Sequence, residues 1–442
     1  MSFNSFQEFL RYLEEQGEVI RIAAEVSAEL EITEITDRVT KAQGKALLFE
    51  RVKGSRFPVV TNAFGSFKRV AMSLGRPPDE IARKIESLIT LKVPQGIADK
   101  VKLLPRLLDL VRIPPKTVVR APCQEVVYTE PDLSIIPALK CWPHDAGKFI
   151  TLPLVVTKSP EDGTRNIGMY RIQIYDKNTT GMHWQIHKDG RSHFSQYARA
   201  KKRMEAAVVI GGDPATIYAA TAPLPPGIDE LLFAGFIRNR SVEIVRCKTI
   251  DLEVPAEAEF VIEGYLDPDE RRTEGPFGDH TGFYSPAEDY PVFHVTCITH
   301  RKNPVYPATV VGPPPMEDAF LAKATERIFL PLIRTVIPEL VDMNLPVEGA
   351  FHNCAIVSIS KSYPMQAQKV MHALWGMGHT ITSGPLDALD HSSPYPLHGS
   401  KVGVDATRKI EGETGRAWPE EIKMSEDIIR LVSDKWKAYG IP

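Results

Sequence analysis

The chain has 442 residues, a length that favours two or three domains over a single hydrophobic core. Hydrophobic residues make up 43% of it, charged residues 25%, and the formal net charge is only −3. This balance is typical of a globular enzyme and argues against a disordered chain or a nucleic-acid-binding protein. Five scattered cysteines without a CxxC pair indicate reduced thiols rather than a zinc site or a redox motif.

Targeting patterns are absent from the sequence. Acidic residues interrupt the apolar residues of the N-terminal segment, whereas a secretion signal needs a continuous apolar stretch. No apolar run reaches the roughly 18 residues that a membrane span requires. We therefore expect a cytoplasmic protein without a transmembrane segment, with peripheral membrane contact left open.

The predicted elements divide the chain into three parts. Residues 1–115 open with a helix and a strand and predict a small N-terminal α/β domain that ends in a proline-rich linker. Residues 116–311 hold many strand-like segments and few helices, which predicts a β-sheet or barrel. Residues 312–442 begin with a long amphipathic helix and predict a C-terminal α/β domain with a terminal helix. The expected fold class is α+β, with several domains.

Two acidic residues are the first candidates for catalysis. Glu274 and Asp279 stand five positions apart in EGPFGDHTG, where glycines and a proline predict a loop. Two acids held close together tend to acquire separated pKa values, so that one can donate a proton near neutral pH. The alternative is a solvated turn in which the acids cap backbone groups. Arg171, in NIGMYR, could pair with Glu274 or could be an ordinary surface arginine.

Candidate metal and phosphate ligands are less distinct. Asn166, His187 and Glu230 offer two oxygens and a nitrogen, a set that suits Mn²⁺ or Mg²⁺ better than structural zinc. Spacing alone does not select them from 12 histidines and 56 acidic residues. Lys401 lies between two glycines in HGSKVGVDAT, a loop that could contact a phosphate or could be a flexible surface loop.

Eight strings between residues 30 and 407 resemble the UbiD family in identity, order and spacing. They are LEITEITDR, APCQE, CWPHDAGKFIT, NIGMYR, HWQIHKDG, GGDPAT, EGPFGDHTGFY and GSKVGVDAT. Each string is modest evidence, but their ordered occurrence over most of the chain is not explained by coincidence. We therefore identify the chain as resembling this family throughout its length.

The resemblance implies a fold and a set of site residues. The fold is a central FMN-binding split β-barrel flanked by N-terminal and C-terminal α/β domains. The cofactor is prenylated FMN, and the matching contact residues are Met169, Tyr170, Arg171, His183, Trp184, Gln185 and Lys401. The metal is Mn²⁺ or Mg²⁺, with K⁺ as a further cation, and the matching ligands are Asn166, His187 and Glu230. The matching catalytic trio is Arg171, Glu274 and Asp279.

The implied activity is that of a carboxy-lyase, the reversible non-oxidative decarboxylation of an aromatic or unsaturated carboxylic acid. In this interpretation Asp279 delivers the proton that replaces the carboxylate, and Glu274, paired with Arg171, supports it. The similarity is closest to family members of quinone biosynthesis, which act on a hydroxybenzoate- or naphthoate-type precursor. The implied partners are the small acid substrate, a flavin prenyltransferase that supplies the cofactor, and further copies of the chain in a homo-oligomer.

Other functions stay open at this point. Catabolic decarboxylases of hydroxybenzoates or heteroaromatic acids share the same catalytic residues. A non-catalytic, reductase-like FMN-binding protein would have the same barrel, because a fold does not fix a function. A metal-only decarboxylase or hydrolase would act without flavin. Glu274 and Asp279 argue against the flavin carrier, which has no need of an acid pair.

One segment departs from the family pattern. Between His379 and Gly384 the family has a strand, a helix and a strand, about forty residues that would supply a partner strand, and this sequence lacks them. Either the chain has a true deletion or the sequence omits these residues, and we favour the omission. A true deletion would put the C-terminal sheet and the position of Lys401 in doubt.

Overall fold

A computed structural model describes residues 2–90, 112–185, 188–225, 227–351, 354–377 and 419–442. Within these ranges the helices are α1 (Phe6–Glu15), α2 (Glu31–Lys41), α3 (Phe67–Ser73), α4 (Pro78–Ile89), α5 (Asp189–Arg199), α6 (Pro214–Ala219), α7 (Glu230–Arg238), α8 (Glu317–Val336), α9 (Gln366–Gly376) and α10 (Glu426–Lys435). Short 3₁₀ turns cover Pro122–Gln124, Leu133–Ile135, Val347–Gly349 and Trp436–Tyr439. No helix of this described part is long and apolar enough to span a bilayer.

The strands alternate with these helices and concentrate in the middle of the chain. They are β1 (Val19–Val26), β2 (Ala46–Val52), β3 (Val59–Thr61), β4 (Lys116–Thr117), β5 (Val126–Tyr128), β6 (Phe149–Ile150), β7 (Pro153–Lys158), β8 (Arg165–Met169), β9 (Ile172–Gln173), β10 (Thr179–Gly181), β11 (Met204–Ile210), β12 (Glu243–Arg246), β13 (Glu253–Pro255), β14 (Phe260–Glu274), β15 (Phe277–Gly278), β16 (Tyr284–Ser285), β17 (Glu288–His300), β18 (Tyr306–Pro307), β19 (Leu340–Asn344) and β20 (Ile356–Ile359). The mixed helix and sheet content agrees with the α+β expectation.

The N-terminal part folds as the sequence pattern predicts. Helix α1 begins where the Ser5 side chain accepts a hydrogen bond from the Glu8 backbone N–H, and it buries Phe6 and Phe9 on one face. A four-stranded sheet follows in the order β1-β2-β3-β18. Its last strand comes from residues 306–307, so the chain returns to this sheet after the central region. The first and middle parts of the chain therefore share one sheet.

A seven-stranded sheet forms the centre of the molecule. Its main path is β10-β17-β14-β11-β7-β8, and β5 also pairs with β17. The long antiparallel pair of β14 and β17 carries the chain from buried Phe260 to Glu274 at the far end of β14. In the described part of the chain β10 and β8 stand at opposite ends of this path, so the sheet is not a closed barrel.

The chain reverses direction around residues 177–181. Ile174 forms a single antiparallel bridge with Thr180 across this turn. The following residues 182–185 have no regular structure. The Met182 N–H bonds to the Pro291 carbonyl, so this segment runs beside β17 without joining the ladder. Its side chains are thereby free to point away from the sheet.

The C-terminal residues return to the N-terminal part. Helix α10 packs on α2, where the buried Glu31 carboxylate accepts hydrogen bonds from Lys435 Nζ at 3.1 Å and Tyr439 Oη at 2.8 Å. Arg38 donates to the Ile429 carbonyl at 3.0 Å and stacks over the Trp436 ring. Because these contacts are buried and charge-assisted, they hold α10 in place.

Candidate active site

Three predicted residues meet at the end of β14. The Arg171 guanidinium lies between two carboxylates, with Nε 3.0 Å from Glu274 Oε1 and Nη1 3.1 Å from Asp279 Oδ2. Its Nη2 is 3.3 Å from Glu274 Oε2, so the pair with Glu274 is bidentate. The guanidinium also lies 4.5 Å from the centre of the Phe277 ring. The structure thus brings Arg171, Glu274 and Asp279 together.

The backbone explains this arrangement. Glu274 is the last residue of β14, where it pairs with Glu288, rather than part of a loop as predicted, because the glycine and proline that break the strand follow it. Gln173, on the same side of the chain as Arg171, accepts a hydrogen bond from the Gly275 N–H at 2.8 Å. Side chains two positions apart in an extended chain point the same way, so Arg171 and Gln173 both face the residues around Glu274 and Gly275.

His183 also contacts Glu274, which the sequence analysis did not predict. Its Nδ1 is 2.6 Å from Glu274 Oε2, and its ring lies 4.3 Å from the Tyr290 ring. The irregular segment that follows β10 allows this contact. Glu274, which is fully buried, thus has an arginine and a histidine as partners.

Both carboxyl groups of the trio are stabilised in the ionised form. Burial tends to raise the pKa of Glu274, but the hydrogen bond from His183 and the charge of Arg171 outweigh it and leave the pKa lowered. Burial likewise opposes ionisation of Asp279, and the contacts with His280 and Arg171 lower its pKa well below the ordinary range. The two pKa values are therefore not split around neutrality as expected, because Arg171 lies between the acids.

Two further residues extend the cluster towards a cavity. His280 Nδ1 lies 2.7 Å from Asp279 Oδ1, and the backbone N–H of His280 donates to the same oxygen at 2.8 Å. Asp318, in the first turn of α8, accepts a hydrogen bond from the Ala319 N–H at 2.8 Å. Burial raises the pKa of Asp318 to about 7, while the nearby His280 opposes that rise. His280 follows Asp279 directly in EGPFGDHTG, the one sequence signal that pointed to it.

The cavity beside this cluster has a volume of about 2190 Å³. Strand β8, the first residue of α7 and one face of α8 line it, and His280 and Asp318 stand at its wall. The predicted flavin-contact residues among its lining residues are Met169, Tyr170 and Gln185. Arg171, Glu274 and Asp279 are not among the residues that line the cavity, although the Asp279 side chain is 24% exposed.

Two of the three predicted metal ligands lie side by side. Asn166 is in β8, and the next residue, Ile167, donates its N–H to Glu230 Oε2 at 2.9 Å. Asp229 caps α7 by accepting from the Leu231 N–H at 2.7 Å, which fixes the helix start and therefore Glu230. His187 lies outside the described residues, so its distance from this pair is not defined. Among the described residues no group of three or more His, Cys, Asp or Glu side chains has metal-binding geometry.

The remaining predicted flavin contacts are only partly described. Trp184 is buried against Tyr170, with ring centres 6.3 Å apart at a right angle. Its indole N–H has no hydrogen-bond partner among the residues that the structure describes. Lys401, and the segment between His379 and Gly384, lie outside the described residues. Their predicted roles stay predictions.

Three family models match almost the whole chain. They are the N-terminal domain of 3-octaprenyl-4-hydroxybenzoate carboxy-lyase (residues 10–89), its Rift-related domain (residues 116–314) and its C-terminal domain (residues 319–382). The predicted domains were residues 1–115, 116–311 and 312–442. These domain bounds stay a prediction. The C-terminal match stops within the segment that departs from the family pattern.

Similar proteins cover the chain from end to end. An uncharacterised protein of Archaeoglobus fulgidus is 49% identical over 476 aligned positions, covering 99% of this chain and 98% of the relative. An uncharacterised protein of Aquifex aeolicus is 46% identical over 482 positions, covering 99% of both. Both alignments are longer than the 442 residues of this chain, so they contain gaps in it.

Two solved structures share the fold. An evolved dimeric form of the UbiD-class enzyme HmfF from Pelotomaculum thermopropionicum, in complex with prFMN, has a TM-score of 0.74 at 29% identity, covering 86% of this chain and 84% of that one. Vanillic acid decarboxylase from Sedimentibacter hydroxybenzoicus, in closed form, has a TM-score of 0.74 at 29% identity, covering 85% of this chain and 78% of that one. With the family models and the relatives at 46% and 49% identity, these similarities confirm the predicted resemblance. The chain belongs to the UbiD family of carboxy-lyases.

Proposed function

We propose that the protein uses prenylated FMN and a divalent metal to decarboxylate, reversibly and without oxidation, an aromatic or unsaturated carboxylic acid. The observation that carries this proposal is the Arg171 guanidinium held between Glu274 and Asp279, next to a cavity large enough for a cofactor and a substrate. A flavin carrier has no need of a buried arginine with two carboxylates. A metal-only enzyme would not need Tyr170 in the cavity lining, with Trp184 packed against its ring.

The residues of the cavity fit a flavin. Tyr170 and Met169 line it, and Trp184, packed against Tyr170, has a buried indole N–H without a hydrogen-bond partner among the described residues. A buried donor without a partner costs free energy, which a ligand that accepts its hydrogen bond would recover. Prenylated FMN, when bound, supplies a covalent electron sink that stabilises the charge left on the substrate as CO₂ departs.

We also propose that the central sheet is the split barrel of the family. Strand β8 leads directly into β9, and Ile174, just after β9, bridges to Thr180 of β10. That single bridge brings the segment after β8 and β9 to β10, the strand at the other end of the seven-stranded path, while β9 itself pairs with β6. An incomplete closure of this kind is the form that a split barrel would take.

The pair of Asn166 and Glu230 fits a hard divalent cation, with His187 as the third ligand. Burial raises the pKa of Glu230 to about 7, so its charged form lacks compensation in the described contacts. The Asn166 side-chain N–H₂ group is buried without a partner in the same part of the chain. Mn²⁺ or Mg²⁺ would compensate the carboxylate, and K⁺ beside it would complete the neutralisation of a flavin phosphate, with Lys401 as a further phosphate contact.

The protein residues manage the proton and the geometry. As the bond from the ring carbon to the carboxylate breaks, CO₂ leaves and the same carbon needs one proton. Asp279 is ionised at rest, so the proton that it delivers must first reach it, and His280 at the cavity wall is the adjacent group. Arg171, fixed by the bidentate pair with Glu274 and by His183 behind it, positions Asp279 and balances its charge afterwards.

The substrate we favour is a hydroxybenzoate- or naphthoate-type quinone precursor. One face of α8 adds apolar residues to the cavity, among them Leu321, Phe329 and Ile333. The cavity volume of about 2190 Å³ exceeds the roughly 300–1,000 Å³ of ordinary ligand sites, which leaves room for an apolar substituent beside a flavin. The similarity to vanillic acid decarboxylase favours a second candidate, a catabolic hydroxybenzoate decarboxylase.

The proposal includes partners and location. A flavin prenyltransferase would have to supply the cofactor. We place the protein in the cytoplasm, where that cofactor would be made, as a homo-oligomer.

The first experiment is co-expression with a flavin prenyltransferase, followed by the mass and visible spectrum of the released flavin. Purified holoenzyme is then tested for CO₂ release from 4-hydroxybenzoate, vanillate, 1,4-dihydroxy-2-naphthoate and a polyprenylated 4-hydroxybenzoate. Prenylated FMN together with CO₂ from any of these acids supports the proposal. Faster turnover of 1,4-dihydroxy-2-naphthoate or the polyprenylated 4-hydroxybenzoate favours a role in quinone biosynthesis. Faster turnover of vanillate favours a catabolic hydroxybenzoate decarboxylase. Plain FMN without turnover would support a flavin carrier, and turnover without flavin a metal-only enzyme.

A further inference from the structure

We propose that His280 and Asp318 form a proton relay that reloads Asp279 from the cavity after each turnover. This inference rests on the proposed decarboxylation and concerns two residues that the sequence analysis did not select. His280 acts through Asp279 and does not contact the reacting carbon, so it is a positioning residue with a proton-transfer role.

Geometry joins His280 to Asp279 and to the cavity. His280 Nδ1 is 2.7 Å from Asp279 Oδ1, within hydrogen-bond distance. His280 and Asp318 both line the cavity, and Asp318 interacts electrostatically with the same imidazole from the first turn of α8. A proton in the cavity can therefore reach both side chains.

The cluster continues inwards from His280. His280 contacts Asp279, Asp279 contacts Arg171, and Arg171 contacts Glu274, which also contacts His183. Arg171 cannot carry a proton onward, because its guanidinium stays protonated. The route to Asp279 therefore runs on the side of His280.

The chemistry of the cycle requires such a route. Each decarboxylation breaks one C–C bond and forms one C–H bond, so Asp279 loses one proton per turnover and becomes a carboxylate. Arg171 stabilises that carboxylate, so Asp279 carries the next proton only as a group in direct contact passes it on. An imidazolium at 2.7 Å can return the proton from Nδ1 and then recover one at Nε2 from Asp318 or from water in the cavity.

The groups that face His280 support proton transfer from His280 to Asp279. Asp279 precedes it in the chain, Asp318 approaches from α8, the charge of Arg171 acts on it across Asp279, and the Phe351 ring lies 5.4 Å away. Burial and the charge of Arg171 tend to lower the pKa of His280. Asp279 and Asp318 have the larger effect, so the pKa of His280 is raised. With Asp318 at about 7, two groups near the cavity exchange protons around neutral pH.

The test compares His280→Gln with His294→Gln in holoenzyme loaded with prenylated FMN. His294 is a matched control, since its Nε2 lies 2.6 Å from Glu270 and its side chain is 27% exposed, like that of His280. We expect kcat for the fastest acid of the panel to fall roughly 10²-fold in His280→Gln with KM unchanged, and to stay at the wild-type value in His294→Gln. Added imidazole should restore part of the rate in His280→Gly.

The pH profile gives a second readout. The wild-type kcat should decrease as the pH rises through the pKa of His280, because the imidazole must be protonated to reload Asp279. In His280→Gln that decrease should be lost. Asp318→Asn keeps the acceptor for the Ala319 N–H and should shift the same decrease to lower pH. The visible spectrum and the thermal denaturation of each variant show whether it has folded and retained the flavin.

A readout that needs no turnover is the NMR titration of protein labelled with ¹³C at histidine Cε1. The signal that is lost in His280→Gln should titrate above the ordinary value of about 6.5, and Asp279→Asn should lower its pKa. Wild-type kcat and pH profile in His280→Gln, or a titration at or below the ordinary value, would overturn the relay alone. Absence of turnover in the wild-type holoenzyme with every acid would overturn the proposed function, and the relay with it.

Discussion

His183 Nδ1 lies 2.6 Å from Glu274 Oε2, the oxygen that Arg171 Nη2 also contacts at 3.3 Å while its Nε contacts Oε1 at 3.0 Å. A fully buried carboxylate thus has cationic or proton-donating partners on both oxygens. This relationship gives Glu274 a role in fixing the geometry of the cluster, because it orients the arginine that in turn holds Asp279.

We expect Glu274→Gln to reduce both activity and stability. The variant leaves a buried guanidinium without its main counter-charge, which costs roughly 3–5 kcal/mol of the free energy of unfolding. Turnover should fall by about 10²-fold or more because Arg171 no longer holds Asp279 in place. Urea denaturation and CO₂ release measure the two effects. Glu288→Gln, an exposed neighbour in the strand ladder, is the control and should change neither.

Asp279→Asn should abolish turnover and leave the flavin bound. The amide keeps the shape of the side chain but has no proton to deliver to the substrate carbon. The flavin spectrum of the purified variant and its CO₂ release are measured side by side. Activity equal to that of the wild type would remove Asp279 from the role of proton donor.

Glu230→Gln should reduce metal content and flavin retention together. The neutral amide cannot compensate a divalent cation as the carboxylate does, and the flavin phosphate then loses its metal contact. Elemental analysis for manganese and the flavin absorbance per protein measure the losses, and dialysis of the wild type against EDTA should reproduce them. Glu161→Gln alters an exposed carboxylate and serves as control. Full manganese content in Glu230→Gln would contradict the proposed ligand set.

The stability contributed by His280 should depend on pH with a definite sign. The pKa of His280 is raised in the folded state. Its contribution to the free energy of unfolding is therefore complete at a pH below the unfolded-state pKa of about 6.5, and it is lost as the pH rises through the folded-state pKa. The difference in the free energy of unfolding between the wild type and His280→Gln should therefore shrink from weakly acidic to alkaline pH. Urea denaturation over that range measures it, and a difference that grows with pH would contradict the ion pair with Asp279.

Tyr439→Phe should destabilise the protein without affecting catalysis. The variant removes a buried hydrogen bond to the Glu31 carboxylate, an interaction worth about 1.5–3 kcal/mol. Urea denaturation gives the loss, and Tyr363→Phe, at a side chain that is 44% exposed, is the control. An unchanged midpoint in Tyr439→Phe would mean that α10 does not depend on this contact.

The sequence alone predicted part of this site. The pairing of Arg171 with Glu274 was one of two alternatives that the sequence left open, and the family resemblance favoured it; the structure has the pair. Asn166 and Glu230 came from family resemblance, since residues 64 positions apart give no periodic signal, and the structure places them next to each other through the Ile167 N–H. The resemblance itself is confirmed.

Other features could not be predicted because they depend on which strands become neighbours. His183 and Glu274 are 91 positions apart and meet only because an irregular segment follows β10 along β17. Asp318 reaches His280 from a helix that the sequence analysis assigned to another domain. The expected separation of the two carboxyl pKa values depended on mutual repulsion, and the position of Arg171 between them removes it.

The contact between α10 and α2 bears on how the protein is made. Lys435 and Glu31 are 404 positions apart, and at about 5–20 residues per second a ribosome needs roughly 20–80 s to add the intervening chain. During that time the Glu31 carboxylate and the adjoining face of α2 have no cover from α10. The N-terminal part therefore lacks the contacts to Glu31 until the ribosome has added Lys435 and Tyr439.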